Sequence, residues 1–236
     1  MNSRTPCRTA HARLLVSALA LIVSGCGGGG GGNDAQTAGS AATPAAVAPV
    51  PAPVVAAEPA PAPIPPLSAN PLQLTFGGTI GAPGYWPDGD TATGGDGKNS
   101  IDGIDCSSSE AYHIHAHLSI VRDGQALAIP ALIGIPAGCT YEMHTHDKTG
   151  ELHLEAPRAK RFTLGNLFAV WGQPLTRTNI AGITGLPVTI YVTDGTTTVE
   201  YKGEPNDLEL TSHRLVTIQI GKPIQSIPTF IWDTPS

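Results

Sequence analysis

From Tyr112 to Val121 apolar and polar side chains alternate. Tyr112, Ile114, Ala116, Leu118 and Ile120 share one face of an extended chain, and His113, His115, His117 and Ser119 share the other. A period of two predicts a strand. Arg122-Asp123-Gly124-Gln125 follows as a hairpin turn, Asp-Gly being suited to the positive φ angles of a tight loop. Ala126 to Ile135 is predicted to return as a second strand, with Pro130 marking an edge or a bulge. Thr140 to His146 and Glu151 to Ala156 then flank Asp147-Lys148-Thr149-Gly150 as a further hairpin. With a four-residue loop, His146 opposes Glu151, His144 opposes His153 and Glu142 opposes Glu155. Tyr141, Met143, Leu152 and Leu154 then share the opposite face. A three-residue loop with a glycine bulge slips the pairing by one and mixes the two sets, so the pattern favours the first register.

The period changes between Arg161 and Trp171. Leu164, Leu167, Phe168 and Trp171 fall at helical spacing behind Thr163, a suitable N-cap, and Gly172-Gln173-Pro174 ends the run. Pro187–Thr193 and Thr197–Tyr201 read as a hairpin around Asp194-Gly195, and Leu215–Ile220 as a last alternating strand. Edge strands are predicted near Leu72–Phe76 and Ile227–Trp232. The order describes an α+β domain, mostly antiparallel β with one short helix; a β-grasp-like arrangement around that helix fits it.

This domain occupies 71–236. Residues 1–25 have the form of an export signal: Arg4, Arg8 and Arg13 precede an apolar run from Leu14 to Val23. That run is shorter than the roughly 20 residues a membrane-spanning helix needs. Val23-Ser24-Gly25-Cys26 resembles a bacterial lipobox, which implies lipidation at Cys26, and Gly27 after it implies sorting to the outer membrane. Residues 26–70 are rich in Gly, Ala and Pro, bury too little to fold, and read as a semi-stiff tether. Removing the signal takes the formal net charge from −6 to −9. That acidity argues against nucleic acid as a partner and against electrostatic docking on anionic lipid, leaving the lipid anchor as the membrane contact.

Six of the eight histidines lie between Tyr112 and Glu155. Neutral imidazole is a common ligand for zinc and copper, and carboxylates complete or orient such sites. The metal candidates are therefore His113, His115, His117, His144, His146 and His153, with Glu142, Glu151 and Glu155 as auxiliaries. The ion expected of nitrogen and oxygen donors in an oxidising compartment is copper or zinc. Cys106 and Cys139, the two cysteines remaining beyond the lipobox, are expected to form a disulfide, with a pair of thiolate ligands as the alternative. The Gly- and Asp-rich stretch Asp88–Asp105 does not meet the order of a calcium-binding loop. There is no Gly-x-Ser-x-Gly, no His-Glu-x-x-His, and no Glu shortly after His115-Ala116-His117 of the kind the cupin pattern requires.

The strings HIHAHLSI, DGQ, IPALIGI, HTHDKTGELHLEAP and FTLGNLFAVWGQPL resemble a family of exported bacterial proteins. The resemblance spans roughly Ile101 to Leu175 and includes Cys106, Cys139, His113, His115, His117, His144-Thr145-His146-Asp147, His153, Glu155 and Trp171. It implies a recurring exported module and no particular reaction. Three functions fit the chain: a lipid-anchored periplasmic metal-binding protein, an envelope interaction module with a polar histidine face, and a metal-dependent enzyme.

Overall fold

In the computed structural model, residues 60–106 and 109–232 are described. The export signal, Cys26 and most of the tether lie outside them. Seven strands form the main sheet: β1 (Tyr112–Arg122), β2 (Gln125–Leu127), β3 (Met143–His144), β4 (Glu151–Ala156), β5 (Val188–Asp194), β6 (Thr197–Glu200) and β7 (Leu215–Ile220). Their order is β6-β5-β7-β1-β4-β3, with β2 also paired to β1. All neighbours are antiparallel except β7 and β1, which run parallel with Leu215 beside His117. The helix α1 (Leu164–Trp171) comes between β4 and β5 in the chain. Two antiparallel pairs, β1–β4 and β5–β7, thus flank one helix in sequence, and their outer members, β1 and β7, meet in the middle of the sheet. This is the β-grasp-like order, within a strand-rich α+β fold.

Local sequence explains where the elements stop. The Thr163 hydroxyl accepts from the Asn166 backbone N–H while the Asn166 side chain accepts from the Thr163 N–H, a reciprocal cap. At the other end Gly172 takes a left-handed φ of 70°, where a Cβ would lie 2.9 Å from the Gly94 Cα. The strand predicted over Ala126–Ile135 closes early, at Leu127. Pro130 has no N–H to donate, and Leu132 and Gly134 turn the chain at φ 65° and 75°. The turned segment instead pairs with the chain around β3: Leu132 N–H donates to Thr145 O, Thr145 N–H to Ile133 O, and Tyr141 N–H to Gly134 O. That competition leaves β3 two residues long, where a strand over Thr140–His146 is predicted.

One face of β1 (Ala116, Leu118, Ile120) enters the main core with Leu152, Leu154, Phe168 and Trp171. The other face is covered as well. Leu72–Gln73 and Phe230–Ile231 form a parallel pair, and Val121, Tyr191, Ile224 and Ile227 make a second, smaller cluster with Leu67 against them. Residues before 71 pair with this cover: Ile227 N–H donates to Pro66 O and Ser68 N–H to Ile227 O. Cys106 and Cys139 are disulfide-bonded. No helix among the described residues is long and apolar enough to cross a membrane.

Candidate metal centre

The register of β4 with its two neighbours builds the site. His115 lies opposite His153 and His113 opposite Glu155 across the β1–β4 pair, while His144 lies opposite His153 on the other edge of β4. Alternation does the rest, because residues two apart on each strand point to the same side. The favoured hairpin register, with His144 facing His153, is the one the fold adopts.

On the β1 side, four donor atoms form a closed ring. His113 Nε2 is 3.0 Å from His115 Nε2, His115 Nε2 is 3.3 Å from His153 Nδ1, and Glu155 Oε1 is 3.2 Å from both His153 Nδ1 and His113 Nε2. Ligands bound about 2.0–2.2 Å from one tetrahedral ion stand about 3.3–3.6 Å apart, so these edges are close to what a bound ion imposes. The second nitrogen of His115, Nδ1, is buried with no hydrogen-bond partner.

On the β3 side, His144 is 1% exposed and its Nδ1 lies 2.8 Å from Tyr141 O. A carbonyl only accepts, so the proton sits on Nδ1 and Nε2 carries the lone pair. That Nε2 is 3.7 Å from Glu155 Oε1. Two lone-pair atoms facing each other with no proton between them make a place for a cation. His146 completes this side, its ring 4.9 Å from that of His144 and 4.4 Å from that of His153. Donor atoms of His144, His146, His153 and Glu155 all lie within 4.8 Å of one another, as do those of His113, His115 and His153, and those of Glu110, His113 and Glu155. These clusters can hold a metal ion. A cavity of about 810 Å³ opens over the β3 side, lined by His144, His146, Glu155, Glu110 and the Cys106–Cys139 disulfide.

Electrostatics keeps the donors in their binding form. Burial pushes His115 and His144 down to about 4, and it lowers His146 as well. Burial pushes the Glu155 carboxyl up, but the His153 hydrogen bond and the His144 and His113 rings outweigh it and hold the group at about 2. At neutral pH His115, His144 and His146 are therefore neutral and the carboxylate is ionised, so none of these four must lose a proton to bind a metal.

Other residues named from the sequence sit elsewhere. His117 is fully enclosed: its Nε2–H donates to Thr149 O at 2.8 Å and its ring lies 4.0 Å from that of Phe230. It belongs to none of the donor groups. Glu142 is turned to other duties, pairing with Lys160 and accepting from the Asp105 N–H. Glu151 lies at the margin, its Oε2 3.9 Å from His153 Nε2. Glu155, named only as an auxiliary, is instead central. Glu110, not singled out in the sequence, joins the β1 side; its signal is its position three residues before His113, with Oε2 4.0 Å from His113 Nδ1. In the Asp88–Asp105 stretch, Asp96 accepts from the Lys98 and Asn99 N–H groups and Asp88 accepts from the Ala131 N–H. Comparison with protein-family models, curated proteins and solved structures returns no match.

Proposed function

We propose that this is an exported, lipid-anchored periplasmic protein that binds copper or zinc through strand histidines, for sequestration or handover of the ion. The observation that carries the reading is the convergence of His113, His115, His144 and His146 on His153 and Glu155, with the lone pair of His144 Nε2 directed at the carboxylate. The lipobox at Cys26 and the Gly/Ala/Pro-rich segment behind it support anchoring at the outer membrane. Five nitrogen donors and one oxygen donor favour Zn²⁺ or Cu²⁺ over hard, oxygen-seeking cations.

Metal analysis of the purified full chain after Zn²⁺ or Cu²⁺ loading tests this. A stoichiometric ion is expected, and His153→Ala should lower affinity at least about 100-fold, roughly 3 kcal/mol. A chain that takes up neither ion sinks the proposal and leaves the interaction module. A second reading, a metal-dependent enzyme, draws support from the cavity over His144, His146 and Glu155. A coordination position filled by exchangeable water favours that reading, and a saturated shell favours the carrier.

A further inference from the structure

We propose that the cluster is a two-ion centre, with one ion held on the β1 side by His113, His115 and His153, a second on the β3 side by His144 and His146, and Glu155 shared between them. The inference rests on the metal-binding reading and extends it.

Counting donors gives the first reason. Five rings and a carboxylate converge, whereas one tetrahedral zinc or copper ion takes four ligands. Geometry gives the second. β1 and β3 occupy opposite edges of β4, and neighbouring strands stand about 4.8 Å apart, so the two outer strands are about 10 Å from each other. Ring contacts follow that division. His113 and His115 meet His153 at 5.7 and 4.5 Å, and His144 and His146 meet it at 5.3 and 4.4 Å. Among the described residues, no donor group contains a member of both outer pairs. A single ion cannot therefore collect all five rings, yet each side is complete enough to bind.

The shared carboxylate is suited to its position. Glu155 Oε1 is 3.2 Å from His113 Nε2 and 3.7 Å from His144 Nε2, so one carboxylate faces both sides. A single carboxylate oxygen placed between two ions can bridge them at about 3.5–4 Å, the usual spacing of two-metal sites. His153 serves the β1 side: it presents Nδ1 to His115 and Glu155 and turns Nε2 toward Glu151. Glu110 and Glu151 bring the carboxylates around the cluster to three, which offsets the repulsion between two dications.

Metal content of the full chain, loaded with excess Zn²⁺ and desalted, decides the matter. Two ions per chain are expected, with His113→Gln and His146→Gln each retaining one and both retaining the parent circular dichroism, since both rings are exposed. Loading with Cu²⁺ should give an electron paramagnetic resonance spectrum broadened by a neighbouring ion, sharpening in either variant. One ion in the parent chain, lost in both variants, overturns the two-ion centre and leaves metal binding intact. No ion in the parent overturns both, and two ions that survive the double variant His113→Gln/His146→Gln overturn the two-ion centre at this cluster.

Discussion

His115 and His117 stand two residues apart on one strand, on the same face, and burial lowers both rings to about 4. Their surroundings differ in one respect. The His117 Nε2–H is taken up by Thr149 O and its ring is closed over by Phe230. His115 keeps Nδ1 without a partner and aims Nε2 at two other imidazole nitrogens. The cause lies in the neighbouring strand. Leu118 N–H donates to Gly150 O at 2.9 Å, and Gly150 comes so close that a Cβ there would stand 2.3 Å from Leu118 O. That contact, open only to glycine, brings the Thr149 carbonyl onto His117. Alternation and burial are thus shared by a histidine closed into the packing and one that stands in a cluster able to hold a metal; the unpartnered ring nitrogen of His115 separates them.

The strongest way to break this contrast is to remove each ring in turn. His115→Ala should weaken binding of the β1-side ion at least about 100-fold, or roughly 3 kcal/mol, whereas His117→Gln should leave affinity within about threefold, both read by competition with a chromophoric chelator. Equal losses would erase the distinction. Acid should separate the two differently. In the metal-free chain the folded-state pKa of His117 is about 4 against 6.5 unfolded, so the unfolded state binds more protons between those values. Its contribution is present above pH 6.5 and lost as pH falls toward 4, up to about 3 kcal/mol. Urea midpoints across that range should fall with pH, and His117→Gln should flatten the slope; an unchanged slope would place the titration elsewhere. At neutral pH the same variant should cost about 1–2 kcal/mol, the loss of a buried hydrogen bond and its packing.

A smaller effect tests the loop. Asp147 Oδ1 accepts from the Thr149 N–H and hydroxyl, and Oδ2 from the Gly77 N–H. Asp147→Ala should cost about 1 kcal/mol by thermal denaturation, with metal stoichiometry unchanged. A larger loss accompanied by loss of metal would show the loop holding ligands rather than His117 alone.

The elements set by local chemistry were legible in the sequence: the β1 alternation, the turn at Asp123-Gly124, the Thr163 cap, and the register that puts His144 beside His153. What distant parts of the chain decide was not. Nothing within ten residues of His117 signals that Phe230 will cover it. The parallel meeting of β1 with β7 joins segments about a hundred residues apart, and the early close of the strand after Leu127 depends on main-chain partners near Thr145. Glu155 reads as an accessory because its importance comes from having strands on both edges, with His113 across one and His144 near the other.

The pairing of Leu72–Gln73 with Phe230–Ile231 has a practical side. It draws segments from near the start and the end of the described residues together on the histidine face, and the indole of Trp232 lies 6.4 Å from the His115 ring. A polyhistidine purification handle fused after residue 236 would be joined within a few residues of that indole, bringing rival chelating groups to the site itself. Recombinant protein for metal counting is best recovered with a cleavable, histidine-free handle.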